Sequence, residues 1–188
     1  MSIDKLALSG YDAFMPIETE AKFKVESLEP YIERVVQSGG EWLDELKQMD
    51  QFFDYADRKL LKADSGLRLR IEQGKKTNRT QLCFKGPRQK GQYKRREEIE
   101  FDVGDSDMAT MLLEALGFIK TLVVEKTRRL AQLDSCQVCL DEVNGLGSFI
   151  EIEGPNETEI EQVAIKLKLN EHQHIASSYV KMLAEKKK

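Results

Sequence analysis

The stretch Ile17–Val25, with the sequence IETEAKFKV, decides how this chain folds. Successive side chains of an extended chain point to opposite faces, so every second residue shares a face. One face of this stretch is apolar and carries Ala21, Phe23 and Val25. The other face carries the charged residues Glu18, Glu20, Lys22 and Lys24. The pattern predicts a β-strand with one buried face and one face made of full charges.

Similar alternation recurs along the rest of the chain. The further predicted strands lie near residues 49–55, 66–72, 80–86, 94–102, 122–132, 136–143 and 148–153. The predicted helices are one capped by Ser27 and stopped by Gly39-Gly40, one from Ser106 as N-cap to Gly117, and two over 157–169 and 172–185. The class is therefore α+β. About eight strands with few long crossovers favour an antiparallel sheet, and closing that sheet removes its exposed edges.

Length and composition set the outer limits. The chain has 188 residues, of which 33% are charged and 40% hydrophobic, which is typical of one soluble globular domain. We expect a loosely ordered leader over residues 1–15 and a single domain over 16–186. The sequence contains neither an apolar run of the roughly 20 residues that span a membrane nor a signal peptide, so we expect a cytoplasmic protein without membrane contact.

Net charge, cysteine content and glycine motifs exclude several classes of ligand and fold. A net charge of −4 argues against nonspecific nucleic-acid binding, which requires a surplus of exposed bases. The three cysteines are better interpreted as reduced thiols than as a disulfide framework. No P-loop or Rossmann glycine motif occurs, so the common phosphate-binding folds are excluded. A homodimer and a monomer are both compatible with this composition.

The polar members of the alternating strands are mostly full charges of both signs. A sheet with a solvated outer face could produce such alternation. Solvated strand faces, however, usually favour Thr, Ser and Gln with scattered charge, whereas here seven bases and five acids alternate with apolar residues. The twelve residues are Glu18, Glu20, Lys22, Arg68, Arg70, Lys85, Arg96, Lys126, Arg128, Asp141, Glu151 and Glu153. If the sheet closes with its apolar side outward, all twelve line one cavity.

Such a cavity calls for a ligand that satisfies both signs of charge. Buried bases lose hydration and repel one another, as do buried acids, so the arrangement makes sense with a polyanion and cations together. Arginine and lysine suit phosphate oxygens, and carboxylates suit hard divalent ions. A triphosphate-containing small molecule bound with Mg²⁺ or Mn²⁺ fits both requirements.

The order of motifs resembles the CYTH, or triphosphate tunnel metalloenzyme, superfamily, which includes class IV adenylate cyclases and thiamine triphosphatases. The opening Glu18–Lys22 looks like the ExExK signature of that family. The motifs that follow in family order are DQFFD at 50–54, GLRLR at 66–70, FKGP at 84–87, REE at 96–98, EKTR at 125–128, DEV at 141–143, GLGSFIEIE at 145–153 and SYVKML at 178–183. The resemblance spans nearly the whole domain. It implies an eight-stranded antiparallel β-barrel whose tunnel binds the triphosphate, with helices packed outside.

Carried over position by position, the resemblance also implies the roles of the site residues. The implied metal ligands are Glu18, Glu20, Glu151 and Glu153, with Asp141 close by. The implied phosphate contacts are Lys22, Arg68, Arg70, Lys85, Arg96, Lys126 and Arg128. We place the catalytic residues at Glu18, Glu20 and Lys85.

Four positions bear on the choice of reaction. Thiamine triphosphatases carry a tyrosine in the segment that matches Phe52, which disfavours thiamine triphosphate here. The chain keeps an acid at Glu153, as the hydrolases of the family do, and its paired Arg68 and Arg70 resemble the triphosphatase pattern. We therefore predict hydrolysis of inorganic or nucleoside triphosphate. The close alternative is a class IV adenylate cyclase that converts ATP to cyclic AMP and pyrophosphate, and a second is a noncatalytic triphosphate- or polyphosphate-binding module.

Overall fold

A computed structural model describes residues 16–186, which form eight strands and five helices. The strands are β1 (Ile17–Lys24), β2 (Glu41–Asp54), β3 (Gly66–Gly74), β4 (Asn78–Lys85), β5 (Lys94–Val103), β6 (Ile119–Leu133), β7 (Cys136–Val143) and β8 (Gly147–Gly154). The helices are α1 (Glu29–Gln37), α2 (Lys59–Lys62), α3 (Ser106–Ala115), α4 (Glu157–Lys166) and α5 (Tyr179–Lys186). The leader predicted over residues 1–15 lies outside the described residues.

The eight strands close into one antiparallel barrel in the order β1-β5-β4-β3-β2-β6-β7-β8. Closure depends on β1, which pairs with β5 on one side and with β8 on the other. Every strand thus has two neighbours, and no strand presents a free edge. The predicted α+β class and the closed eight-stranded antiparallel barrel are confirmed.

The apolar core lies outside the barrel wall, between the strands and the helices. Ile150 and Ile152 on β8 pack with Val35 of α1 and with Ile160 of α4 in the largest buried cluster. On the opposite side, Leu113 of α3 packs with residues of β2 and β3. Because the apolar faces of the strands are used under the helices, the alternate faces point into the barrel. With the apolar faces outside the barrel, the charged faces of the strands line its interior.

The structure differs from the sequence prediction at several element boundaries. β2 begins at Glu41 rather than near 49, because its first half pairs with the long β6, and a bulge between Trp42 and Asp44 hides the alternation. The N-cap of α3 is Asp105, not Ser106, since the Asp105 side chain accepts hydrogen bonds from the backbone N–H groups of Asp107 and Met108. The short α2 was not predicted.

The last predicted helix is shorter than expected. It begins at Tyr179 rather than at 172, because the preceding residues run along β1 instead of coiling. Phe23 forms an isolated bridge with His174, and the backbone N–H of Ile175 donates to the carbonyl of Lys22 over 2.8 Å. This path carries the chain across one end of the barrel before α5 starts. None of the helices in residues 16–186 has the length and apolar character needed to cross a lipid bilayer.

Candidate active site

The barrel encloses a cavity of about 460 Å³, a volume within the range of small-molecule sites. Ten of the twelve charged residues singled out from the sequence line it: Glu18, Glu20, Lys22, Arg68, Arg70, Lys85, Lys126, Arg128, Glu151 and Glu153. The alternation along the strands therefore brings these residues together as expected. Arg96 and Asp141 are the two exceptions.

Three carboxylates form a cluster that we call the carboxylate corner, made of Glu18, Glu20 and Glu153. One carboxylate oxygen from each lies within 4.8 Å of the others. The pairing of β1 with β8 creates the corner, since Glu20 lies opposite Glu153. Burial, together with the negative charge of Glu18, raises the pKa of Glu153 to about 7. A hard divalent cation bound between these carboxylates would offset their mutual repulsion and favour their ionised form. The corner therefore fits Mg²⁺ or Mn²⁺.

Lys85 links the corner to a fourth carboxylate. Its Nζ donates to Glu18 Oε2 over 3.0 Å and also to Glu98. Burial and a hydrogen bond with Glu18 raise the pKa of Glu98 to about 8. Burial alone would raise the pKa of Glu18 too, but the charges of Lys85 and Lys94 and the hydrogen bonds from Glu98 and Lys85 together outweigh burial, and the pKa of Glu18 falls well below its usual range. Of the two carboxyl groups, Glu18 therefore loses its proton first.

Four bases on β3 and β6 also line the cavity, and we call them the base wall: Arg68, Arg70, Lys126 and Arg128. Arg128 adjoins the carboxylate corner, since its Nη1 lies 3.6 Å from Glu153 Oε1. Arg70 donates two hydrogen bonds to the carboxylate of Asp50, over 2.6 and 2.8 Å. Arg128 likewise donates two hydrogen bonds of 2.7 Å to Asp141. Such bidentate pairs hold the guanidinium planes in fixed orientations. The base wall is therefore preformed, with its charges anchored by acids.

Asp141 is not at the carboxylate corner, where the resemblance placed it near the metal. It is fully buried and accepts hydrogen bonds from Arg128, from Lys126 over 2.7 Å and from the hydroxyl of Tyr179 over 3.1 Å. Burial would raise the pKa of Asp141, but the charges of Arg128 and Lys126 and the hydrogen bonds from Arg128 together outweigh burial and lower it. With both oxygens engaged by donors, Asp141 supports the base wall instead of offering a ligand.

Arg96 does not line the cavity either. Its guanidinium donates to the carbonyl oxygens of Asp64 and Gly86, and to Asp64 Oδ1 over 3.0 Å. The loop before β3 and the turn after β4 supply these acceptors at the barrel rim, and they hold the side chain there. Glu151 does line the cavity, but it forms ion pairs with Lys22 over 3.1 Å and with Arg128 rather than joining the carboxylate corner.

Sequence reasoning missed several residues of the cavity lining. Lys94 is not among the twelve residues expected to line the cavity, yet its Nζ donates to Glu20 Oε1 over 2.7 Å. Its phase along β5 is that of Glu98 and Glu100, both of which also line the cavity, and this phase was the available signal. Asp50 gave no such signal, because its neighbours in the sequence do not show that it lies opposite Arg70.

The lining as a whole is electrically balanced when every group is ionised. Its eight bases are Lys22, Arg68, Arg70, Arg79, Lys85, Lys94, Lys126 and Arg128. Its eight acids are Glu18, Glu20, Asp50, Glu72, Glu98, Glu100, Glu151 and Glu153. A bare triphosphate, with four or more negative charges, would add uncompensated charge to this cavity. A triphosphate that enters with divalent cations would add far less.

Known proteins with similar sequences and folds share this architecture. A profile of the CYTH domain matches residues 16–180. A protein of Methanocaldococcus jannaschii named "Putative adenylate cyclase" is 30% identical over 137 residues, which cover 73% of this chain and 76% of that protein. The PH1819 protein of Pyrococcus horikoshii is 31% identical with a TM-score of 0.79, over 90% of this chain and 99% of the other.

A more distant structure comes from Hippeastrum, with 17% identity, a TM-score of 0.65 and coverage of 90% of this chain and 95% of the other. It is described as a putative adenylyl cyclase that reveals a dominant triphosphatase activity. At that identity the likeness shows the fold alone. The CYTH profile extends over nearly all the described residues, so this chain belongs to the CYTH family.

Proposed function

We propose that this protein is a metal-dependent triphosphatase that hydrolyses inorganic or nucleoside triphosphate inside its barrel. The observation that carries the proposal is that the carboxylate corner and a preformed base wall line the same cavity. The corner suits divalent metal and the wall suits phosphate oxygens. Their combination is what phosphoryl transfer asks of a protein, which is positioning and neutralisation of charge.

The residues of this chain take distinct roles in the proposal. Glu18, Glu20 and Glu153 would hold the Mg²⁺ or Mn²⁺. When bound, such an ion neutralises phosphate charge and lowers the pKa of a coordinated water, which makes the water a nucleophile. We do not assign Asp141 to the metal or Arg96 to a phosphate, because hydrogen bonds within the protein engage the oxygens of Asp141 and the terminal nitrogens of Arg96.

The phosphate oxygens would be bound by bases from several strands. These are Lys22, Arg68, Arg70, Lys85, Lys126 and Arg128. Glu151 would orient two of them, since it pairs with Lys22 and Arg128. Lys85, which bridges Glu18 and Glu98, would lie where the metal and the phosphate meet.

Hydrolysis and cyclisation use the same constellation and differ in the nucleophile. The acid at Glu153 supports hydrolysis, because it completes the corner that would hold the metal and its water. The name of the M. jannaschii relative favours the alternative, adenylate cyclase, which would direct the ribose 3′-hydroxyl of ATP at the α-phosphorus. The two activities are compatible with one fold, as the description of the Hippeastrum protein illustrates for that protein.

Product analysis tests the proposal. The protein would be incubated with ATP or inorganic triphosphate, with Mg²⁺, with Mn²⁺ or with EDTA. We expect orthophosphate in both metals and nothing in EDTA. Formation of cyclic AMP and pyrophosphate from ATP would instead identify the protein as a cyclase. If neither substrate gave any product, an enzymatic role would be contradicted.

A further inference from the structure

The two ends of the cavity differ in what surrounds them. At one end, Tyr179 and Val180 of α5 pack in an apolar cluster with Phe52 and Val124 of the barrel. At the other end the lining includes Leu46, Gln48, Gln81 and Leu130, which we call the amide end. Gln48 lies four residues before Phe52 on β2, a separation of about 13 Å along a strand. The amide end is thus the part of the cavity away from α5.

The side chain of Gln48 is held in one orientation. Its Nε2 donates to Glu72 Oε1, and the other oxygen of Glu72 accepts a hydrogen bond of 2.6 Å from Arg79 Nε. A carboxylate held by an arginine can only accept, so it selects the amide nitrogen of Gln48 and turns Oε1 away. Gln48 is 4% exposed, and its Oε1 is buried without a donor among the described residues.

Gln81 is arranged in the same way. Its Nε2 donates to Glu100 Oε1 over 3.0 Å, while Glu100 Oε2 accepts from Arg68 over 3.1 Å. The amide nitrogen is again taken by an anchored carboxylate, and the carbonyl oxygen is the group left for a ligand. Gln48 lies opposite Glu72 and Gln81 opposite Arg70, two residues apart along β3, so each of the strands that flank β3 contributes one amide to the cavity lining.

Apolar side chains complete the amide end. Leu46 is paired with Arg128 across β2 and β6, and Leu130 follows Arg128 by two residues on the same face. A flat group packed on these leucines would adjoin Arg128, and hence the base wall that takes the phosphates in the proposed function. The amide end thus combines an apolar surface with one buried acceptor, Gln48 Oε1, that has no donor among the described residues, and with the amide of Gln81, whose nitrogen is already engaged.

We propose that the amide end binds the base of a nucleoside triphosphate and selects a base that carries an exocyclic amino group. The inference rests on the proposed function, since it extends the same triphosphate site. An aromatic base supplies flat apolar faces for Leu46 and Leu130. Its amino group supplies the N–H donors for Gln48 Oε1 and Gln81 Oε1. A site built around an acceptor rejects an analogue without the donor, because the acceptor then stays buried and unpaired.

Adenosine and inosine triphosphates make the direct comparison, because inosine has an oxygen where adenosine has the amino group. Their βγ-imido analogues and inorganic triphosphate would be titrated by calorimetry in Mg²⁺. We expect wild type to bind the adenine nucleotide at least about 10-fold more tightly than the hypoxanthine nucleotide. Gln48→Met should bring this ratio close to one, with inorganic triphosphate as the reference that has no base.

Two further variants keep the test decisive. Gln81→Met should lower the same ratio, and it replaces Gln48→Met if that variant does not fold. Phe52→Leu changes the end near α5 and should keep the wild-type ratio. Equal affinities for the two nucleotides in wild type, an unchanged ratio in both glutamine variants, or loss of the ratio in Phe52→Leu would each overturn the inference.

Failure of base selection and failure of the proposed triphosphatase activity give different results. Absence of orthophosphate from ATP and from inorganic triphosphate would contradict hydrolysis, while the affinity ratio of the βγ-imido analogues would still report on the amide end. Conversely, hydrolysis of both nucleotides with equal kcat/KM and equal affinity would support the triphosphatase and overturn base selection.

Discussion

Carboxylates at the carboxylate corner and at the base wall are both buried among charged groups, but their pKa values shift differently. At the base wall, positive charge pulls the pKa values of Asp50 and Asp141 down despite burial. At the corner, burial and neighbouring carboxylates push the pKa of Glu153 up to about 7. The acids behind the wall are held ionised by the bases they pair with, whereas Glu153 resists ionisation although Arg128 Nη1 lies 3.6 Å from its Oε1. A divalent cation at the corner would favour the ionised form of Glu153, in keeping with the proposed metal site.

The largest effect is expected from Glu20→Gln, which keeps the shape of the side chain but removes a charge from the corner. We expect kcat for triphosphate hydrolysis to fall by about 10²-fold to 10³-fold, as when a group that stabilises transition-state charge is removed. Steady-state rates in Mg²⁺ measure it. Glu125→Gln, on the exposed outer face of β6, is the matched control and should keep wild-type rates. Equal rates in all three proteins would remove the corner from the mechanism.

The same substitution at two positions of the base wall should separate stability from binding. Arg128→Met removes the guanidinium shared by two buried acids, Asp141 and Glu151, and we expect a loss of about 3–5 kcal/mol in the free energy of unfolding. Arg68→Met leaves Glu100, a partly exposed acid, and should cost less stability while it weakens triphosphate binding. Denaturant unfolding and calorimetry measure the pair. The comparison fails if Arg68→Met is the more destabilising of the two.

The raised pKa values predict how the metal-free protein responds to pH. Glu153 titrates near 7 and Glu98 near 8 in the folded state, against 4.5 for an ordinary glutamate. Between pH 4.5 and about 8 the folded state therefore binds more protons than the unfolded state, and stability falls as pH rises. We expect Tm in EDTA to drop by several degrees from pH 6 to pH 8.

Divalent metal should oppose that drop, because it binds the ionised form of Glu153. The difference in Tm between Mg²⁺ and EDTA should widen from pH 6 to pH 8, and Glu153→Gln should flatten the dependence in EDTA. A Tm in EDTA that rises over this interval would contradict the raised pKa values of Glu153 and Glu98.

The smallest effect on activity is expected from loss of the hydrogen bond between Tyr179 and Asp141, the acid that holds Arg128 and Lys126 of the base wall. Tyr179→Phe removes one hydrogen bond of 3.1 Å to Asp141, which keeps its bonds to Lys126 and Arg128. We expect a stability loss of about 1–3 kcal/mol, the cost of removing one partner from a buried polar group. Unfolding measurements would show it, while kcat should stay within about twofold. A collapse of kcat would instead place Tyr179 among the groups that contact the substrate.

The sequence predicts much of this molecule because alternation is a local signal. Ile17–Val25 and the later strands show which residues share a face, and this was enough to predict the barrel and ten of the cavity residues. Pairing between distant strands is not local. The sequence therefore did not reveal that Asp50 anchors Arg70, that Asp141 lies behind Arg128 or that Asp64 holds Arg96 at the rim. Which acid pairs with which base depends on the register between strands and on the path of the loops.

Calorimetric titration with inorganic triphosphate, in Mg²⁺ and in EDTA, tests the central claim most directly. The cavity has equal numbers of acids and bases, so we expect tight binding of triphosphate with Mg²⁺ and at least about 100-fold weaker binding in EDTA. In Glu20→Gln the gain on adding Mg²⁺ should largely disappear. Equal affinity of wild type for triphosphate in Mg²⁺ and in EDTA would contradict a metal-dependent triphosphate site in this barrel.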